Sequence, residues 1–364
     1  MNIAIFGVGT IGSGVLELVN KLNKNIHVTK VFVRPEKKDL YPGLYEGDID
    51  KIVTDPNIDI IVETLGGKDL AYEVITKALK NKKHVVTANK EVASWHFKEF
   101  NDLAKENGVM FLFEASVGGG VPIIKGISNV AKRDTVNGIL GVINGTCNFI
   151  LTQIQLYSST FDDSIQDAIN LGYAEKDPSS DLLGLDMVRK IAILTMLSTN
   201  KVVDLNKISH MGIENLNDKF MNFVNNKRCV VKFVSEVYKL NDGKYHIAVL
   251  PVVVQKETIL AQTHNENNTI FLECEDNGRL VFNGLGAGKN PTASSVLSDI
   301  LDIYDNRNYV TFDGNEQLEI DNDQLLRTYF VIDKLNQIKQ IENARLSDVK
   351  QYKFYALDKR TSNI

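Results

Sequence analysis

The sequence predicts an α/β protein: a parallel sheet with covering helices, then an α+β second domain and a short C-terminal extension. Three observations carry this. A strand-like run at residues 2–6 enters Gly7-Val8-Gly9-Thr10-Ile11-Gly12 and then an amphipathic stretch. Apolar runs alternate with helical patterns beyond it, as a parallel sheet requires. The length of 364 residues suits two domains, at roughly 100–200 residues each.

The first element is a buried strand at residues 2–6. In the glycine loop, Gly7 permits the tight turn, Gly9 lets backbone approach a pyrophosphate, and Gly12 lets the helix pack against the strand. Apolar Ile11, Val15, Leu16, Val19 and Leu22 follow at helical spacing. This is the context of a Rossmann-type cofactor domain. Gly7, Val8, Gly9, Thr10, Ile11 and Gly12 are the expected phosphate contacts, aided by the positive end of the helix. The second strand spans residues 28–33. It ends at Arg34, with Lys37 and Lys38 behind it, where an NAD-binding chain would carry an acid. Arginine suits a ribose 2′-phosphate, so NADP is favoured and NAD stays open, as does a merely solvated basic loop. Residues 60–64 read as a third strand, 71–79 as a helix and 83–87 as a fourth strand. Ligands in such sheets sit beyond the carboxyl ends of the strands, where Thr64, Gly66, Asn89 and Lys90 fall.

Composition sets outer bounds. The chain is 43% hydrophobic and 24% charged, with a formal net charge of −5. These values exclude disorder, collagen-like repeats and a disulfide scaffold. Three cysteines, without a CxxC pair, argue for a reducing compartment and against structural zinc. Six scattered histidines show no metal-ligand spacing. No apolar run approaches the roughly 20 residues of a membrane span, and a strand begins almost at once, so no leader is expected. A cytoplasmic protein, with neither nucleic acid nor membrane as partner, is the expectation.

Further along, Asp186 and Lys190 lie four apart on a helix expected over residues 182–197 and so share a face. Their neighbours are largely apolar. Desolvation disfavours a charged lysine there while the aspartate favours it, which suits a proton donor; a surface ion pair is the alternative. Glu175, Asp177 and Asp181 crowd one loop. Asp181 also fits a helix N-cap before Leu182, and Asp177 before Pro178 fits a turn.

Several motifs now stand in order. They are Thr87-Ala88-Asn89-Lys90, the glycine-rich block from Phe113 to Ile124, Asn144-Gly145-Thr146-Cys147-Asn148-Phe149-Ile150, the run from Leu171 through Lys190, and Gly284-Leu285-Gly286-Ala287-Gly288 with Pro291-Thr292-Ala293-Ser294. Together with the glycine loop they resemble the homoserine dehydrogenase family over about residues 1–306. The resemblance implies interconversion of L-homoserine and L-aspartate 4-semialdehyde with NAD(P), in threonine and methionine biosynthesis, by a homodimer. It implies Lys190 as proton donor, with Lys90 and Asp186 as its catalytic companions. It implies substrate contacts from Glu175, Asp186, Lys190, Thr146, Gly145, Tyr173 and Asp181. Cofactor contacts are implied for Thr64, Lys90, Gly172 and Gly288 besides the glycine loop and Arg34. A monovalent cation, sodium by family habit, is implied at Glu114, Val117, Gly119 and Val121 as a structural strut; a tight crossover with a buried glutamate is the alternative. Cys147 stands where the family commonly has threonine or serine, and is read as a packing substitution leaving a modifiable thiol near the site.

The expected domains are 1–130 for the cofactor, 131–284 for substrate and dimerisation, 285–310 as a return segment and 311–364 as the extension. In the second domain, residues 230–238 and 245–255 read as strands joined at Asn241-Asp242-Gly243-Lys244. Pro251 marks the second as an edge strand or an interrupted one. Residues 292–303 are an expected helix. In the extension, 325–332 reads as a strand, 335–346 as a helix and 352–357 as a strand. Relatives often carry a longer C-terminal ACT domain. The extension is either half of one, a piece that pairs with the same segment of a second subunit, or strands and a helix packed on the dimer surface.

Overall fold

The computed structural model describes residues 1–214 and 216–358, and the side chain of Asp218 is likewise outside the description. In chain order the elements are β1 (Asn2–Phe6), α1 (Thr10–Lys21), β2 (His27–Phe32), α2 (Ile49–Val53), β3 (Ile60–Glu63), α3 (Asp69–Lys80), β4 (His84–Thr87), α4 (Lys90–Trp95), α5 (Phe97–Asn107), β5 (Phe111–Leu112) and α6 (Ile123–Ala131). Then come β6 (Val136–Val142), α7 (Gly145–Tyr157), α8 (Phe161–Asn170), α9 (Ser179–Leu182), α10 (Leu185–Thr199), β7 (Ser209–His210), α11 (Asp218–Asn226), β8 (Cys229–Lys239), β9 (Tyr245–Gln255), β10 (Asn267–Cys274), β11 (Arg279–Leu285) and α12 (Lys289–Tyr304). The last are β12 (Arg327–Ile332), β13 (Ile338–Ala344), α13 (Leu346–Val349) and β14 (Lys353–Leu357). No helix among the described residues is long and apolar enough to cross a membrane.

The chain forms two compact units. The first is Met1–Arg133, Met196–Val202 and Ala287–Asn315. Its five strands are parallel in the order β2-β1-β3-β4-β5. Strands β1 and β3 are almost wholly buried, so they read as apolar runs rather than as alternation. The expected return of the chain is seen in α12, which packs on α1. A Cβ on Gly14 would lie 2.8 Å from that of Ala293, and Lys289 reaches Glu17 at 2.6 Å.

The second unit is Asp134–Thr195, Val203–Gly286 and Glu316–Ile364. Its nine-stranded sheet runs β11-β10-β6-β8-β9-β14-β12-β13, with β7 also on β9. The pairing is antiparallel except where β7 and β14 lie parallel to β9. The β8–β9 hairpin turns at the expected place, with Gly243 at φ +85° and the Leu240 amide donating to the Lys244 carbonyl at 2.8 Å.

Three expectations are corrected. Pro251 neither makes β9 an edge strand nor interrupts it: β9 runs unbroken between β8 and β14. Val249 and Val253 accept from Met211 and Asp358 on the side away from β8. Pro251 shares their parity, so its missing N–H faces the gap between β7 and β14, where no donor is needed. The helix read at 335–346 is instead the strand β13. Ile341 and Ala344, three positions apart, look helical because Asn343, at φ +50°, forms a bulge: Tyr329 faces Ile341 but Arg327 faces Ala344. The extra residue puts Ile341 and Ala344 on one face. Finally, Asp181 is not an N-cap but lies within α9, capped by Pro178. Gly184 at φ +85° separates α9 from α10, and a Cβ there would meet the Phe233 ring at 2.9 Å.

From Glu316 onward the extension belongs to the second unit, its strands continuing that unit's sheet through β14 on β9. Its anchor is a buried charge cluster. Arg327 of β12 donates to Glu236 of β8 at 2.5 Å, and His246 of β9 meets the same oxygen at 3.0 Å. Arg327 also donates to the Leu357 carbonyl at 2.7 Å.

Candidate active site

In the first unit, the glycine loop shows why each glycine is present. Gly7 sits at φ +89°, and a Cβ there would lie 2.7 Å from the Thr64 carbonyl oxygen. A Cβ on Gly12 would lie 2.1 Å from the Gly7 oxygen, whereas one on Gly9 would meet nothing within 4 Å. Two glycines serve packing, and the third leaves open the surface along which a ligand backbone passes. The N-terminus of α1 has no side-chain cap, so its first N–H groups remain available to an anion. Thr10 and Ile11 open that helix. The loop borders a cleft of about 680 Å³ whose walls include Val8, Arg34, Lys37, Thr64 and Gly66. Thr64 also braces the loop, its hydroxyl donating to the Gly7 carbonyl at 2.5 Å.

Lys90 is held at the end of β4 by a frame the sequence reading missed. Asn89 caps α4, accepting from Glu91 and Val92 at 3.1 and 3.2 Å. Its amide donates to the Gly67 carbonyl at 2.7 Å. Behind it, buried Glu63 accepts from the Thr87 hydroxyl and from the Leu65 amide. Burial pushes the Glu63 carboxyl up to about 7, against the pull of those hydrogen bonds. A carboxylate closing an otherwise apolar strand was the available signal. Gly288, at φ +115°, precedes α12 as its N-cap.

The glycine-rich segment after β5 turns on Gly118 and Gly119, at φ +76° and +58°. Glu114 is buried, and its two carboxylate oxygens accept from Ile124 and Lys125 at 2.9 Å each, capping α6. Burial, then the neighbouring Asp299, raise its carboxyl well above the usual range. The Gly119 carbonyl accepts from Ser295, and that of Val121 from Ile123. Val117 leads into the turn. Each such carbonyl keeps one lone pair for a cation, so the segment fits one without requiring it. Among the described residues no cluster of three or more His, Cys, Asp or Glu could hold a metal.

In the second unit, the Asp–Lys pair stands as the spacing predicts. Lys190 Nζ lies 2.8 Å from Asp186 Oδ2 and donates to the Ile143 carbonyl at 2.9 Å. The residues are 9% and 2% exposed, so this is no surface pair. Asn144 completes the arrangement. Its amide donates to Asp186 at 2.8 Å and to Asp181 at 2.7 Å, while its oxygen caps α7 by accepting from Cys147. Asn144 was absent from the expected site residues, although an asparagine before a helix is a recognisable cap. Asp181 is therefore part of the site's frame.

Thr146 donates to the Tyr173 carbonyl at 2.6 Å, and Gly145 packs closely on the backbone of Glu266. Burial, then the Glu266 carboxylate, raise the Tyr173 phenol above its ordinary value. Glu175 and Gly172 are exposed, and Asp177 makes the expected turn by accepting from Ser179. Cys147 fits the packing reading but not that of a modifiable thiol. It is fully buried, its thiol donates to the Asp181 carbonyl at 3.3 Å, and burial pushes its ionisation well above the usual value.

Another missed residue supports this framework. Lys232 is 1% exposed and donates to Asn148 and to the Thr263 carbonyl. Burial lowers its ammonium to about 7. Asn148 itself donates to the carbonyls of Thr263, Asn265 and Asn267. The two side chains thus pin the loop that carries Glu266. A lone lysine inside the apolar run of β8 was the signal.

A glycine loop of the dinucleotide-binding kind on a parallel sheet in one unit, together with a buried Asp–Lys pair in the other, points to a nicotinamide-dependent oxidoreductase. Comparison with known proteins gives the family. A profile described as "Homoserine dehydrogenase, NAD binding domain" matches residues 7–114, and one described as "Homoserine dehydrogenase" matches residues 122–301. The homoserine dehydrogenase of Bacillus subtilis is 34% identical over 84% of this chain and 73% of its own length. That of Synechocystis is 36% identical over 83% and 73%. Among solved structures, the Staphylococcus aureus enzyme aligns with a TM-score of 0.78 at 29% identity over 98% of both chains. A hyperthermophilic archaeal homoserine dehydrogenase, solved with NADPH, aligns at 0.73 and 27% over 85% of this chain and 99% of its own. The chain belongs to the homoserine dehydrogenase family. It is an NAD(P)-dependent oxidoreductase of amino-acid biosynthesis.

Proposed function

We propose that the protein reduces L-aspartate 4-semialdehyde with NADPH, with Lys190 as the proton donor. The observation that carries this is the buried chain Ile143–Lys190–Asp186–Asn144–Asp181. When bound, the cofactor supplies or accepts the hydride. Lys190 Nζ gives its proton to the oxygen of the developing alcohol, and in the reverse direction receives it. Asp186 holds the lysine in place and, with Glu175, provides negative charge for the substrate ammonium. Thr146, Gly145 and Tyr173 shape the pocket, and Asp181 positions Asn144. Lys90, at the start of α4, polarises the reacting carbonyl.

The cofactor phosphates lie on residues 7–12, with further contacts from Thr64, Gly172 and Gly288. Arg34 takes the 2′-phosphate. Arg34→Ala is expected to raise KM for NADPH about tenfold or more while leaving KM for NADH unchanged; equal changes would remove Arg34 from cofactor selection. A sodium ion on the carbonyls of residues 114–121 serves as a strut. The expected partner is a second copy of the chain, in the cytoplasm, as three buried cysteines without a disulfide suggest.

The test is loss of NADPH absorbance with L-aspartate 4-semialdehyde. Turnover is expected, with a lower rate when sodium is replaced by tetramethylammonium. No turnover at any pH from 6 to 10 would overturn the reading, and indifference to the cation would remove the strut.

A further inference from the structure

Glu266 belongs to none of the motifs read from the sequence, and no step of the proposed reaction uses it. Its loop, residues 263–267 of the second unit, is nevertheless tied down from two elements. From α7, Asn148 Nδ2 donates to the carbonyls of Thr263, Asn265 and Asn267, and the Thr152 hydroxyl accepts from the Asn265 amide at 3.1 Å. From β8, Lys232 Nζ donates to Asn148 Oδ1 at 3.1 Å and to the Thr263 carbonyl at 2.5 Å. Burying an ammonium without a counter-charge is costly, and no carboxylate offsets that of Lys232 among the described residues. An apolar residue would suit the strand better, so the lysine marks a loop whose position matters.

The loop brings Glu266 to residues expected around the substrate. The Tyr173 hydroxyl donates to the Glu266 carboxylate; burial raises the phenol, and that carboxylate adds to the effect. A Cβ on Gly145 would lie 3.2 Å from the Glu266 carbonyl oxygen, and the same oxygen accepts from the Gly286 amide at 3.1 Å. Tyr173 is otherwise held by its ring, 5.1 Å from that of Phe149, and by its carbonyl, which accepts from Thr146. Neither contact fixes the phenol proton. A tyrosine hydroxyl can both donate and accept. With its proton directed at Glu266, the oxygen is left as an acceptor, which is the polarity that suits an ammonium.

We propose that Glu266 is a positioning residue for the reaction: it accepts the Tyr173 O–H hydrogen bond and so presents the phenol oxygen to the substrate ammonium as an acceptor. Lys232 and Asn148 hold the loop where this is possible. The first turns of α7 then serve both sides of the pocket, with Asn144 at the cap bonded to Asp186 and Asn148 to the Glu266 loop. The part played by Tyr173 rests on the proposed substrate site; the pinning of the loop by Lys232 does not.

Steady-state kinetics of the full chain test the role. Glu266→Leu is expected to raise KM for L-aspartate 4-semialdehyde about tenfold or more, the usual worth of a hydrogen bond to a charged group, with kcat and KM for NADPH little changed. Glu266→Gln keeps a carbonyl acceptor and is expected to recover most of that loss. Lys232→Met is expected to raise the same KM severalfold, and the double variant with Glu266→Leu to do no worse than Glu266→Leu alone, because the lysine acts through the carboxylate. An unchanged KM in Glu266→Leu would overturn the role, as would no recovery in Glu266→Gln or a double variant that adds the two losses. Hydrogen exchange reads the pin without turnover. In Lys232→Met the amides of Asn265 and Asn267 are expected to exchange about tenfold faster or more, with Asn148→Ala as the second variant if the first does not fold; unchanged exchange would overturn the pin. A wild type that turned over no semialdehyde would overturn the substrate role together with the proposed reaction, whereas exchange would still decide the pin, so the two failures are distinct.

Discussion

Lys190→Met is expected to lower kcat by about 10²–10⁴-fold, the usual span for a lost general acid, while leaving NADPH affinity unchanged. Methionine keeps most of the apolar stem, so little cavity forms. Removing the ammonium leaves Asp186 buried but still bonded to Asn144. A pH–rate profile separates the two possible roles. If Lys190 donates the proton, the residual rate loses its alkaline limb. If Lys190 only holds the fold, the melting temperature and kcat fall together and the profile keeps its shape. Fluorescence titration of NADPH supplies the control, because the residues expected to hold the cofactor phosphates lie in the other unit. Equal loss of NADPH binding would reassign Lys190 to structure.

Arg327→Met is expected to destabilise the protein by about 3–5 kcal/mol, because it strands a buried carboxylate. That is a large share of the roughly 5–15 kcal/mol that a folded protein commands. Burial pushes Glu236 up, but the Arg327 charge and the His246 hydrogen bond prevail and hold it at about 2. A carboxyl depressed on folding contributes stability above its unfolded pKa and loses it as pH falls. In the native chain that loss spans roughly pH 4.5 to 2. Without Arg327, burial acts with less opposition and the carboxyl accepts a proton at higher pH. The melting-temperature gap between native and variant protein is therefore expected to narrow from pH 7.5 to pH 4.5. A constant gap would mean that the arginine acts through packing and through its bond to Leu357 alone.

The parts legible in the sequence are those governed by local rules. Gly7 and Gly12 announced the loop because each answers a steric demand made within sixty residues, and Gly9 keeps the surface between them open. Asp186 and Lys190 announced a pair because helical spacing alone brings them together. The parts that were not legible depend on distant neighbours. Ile341 and Ala344 look helical until the Asn343 bulge opposite Arg327 and Tyr329 explains their spacing. Pro251 looks like a strand breaker until two short strands are seen to leave a gap beside it. Asn144 serves two carboxylates 37 and 42 positions away, and no local pattern announces that. Cys147 could be read as reactive only while its burial was unknown.

The contact between α1 and α12 also has a consequence for synthesis. Glu17 and Lys289 are 272 positions apart. At roughly 5–20 residues per second, a ribosome needs roughly fifteen seconds to a minute to make the stretch between them. Throughout that time the first helix lacks the neighbour that covers Gly14. The nascent N-terminal sheet thus waits with that face of its first helix uncovered, and a chain cut after residue 133 would never cover it.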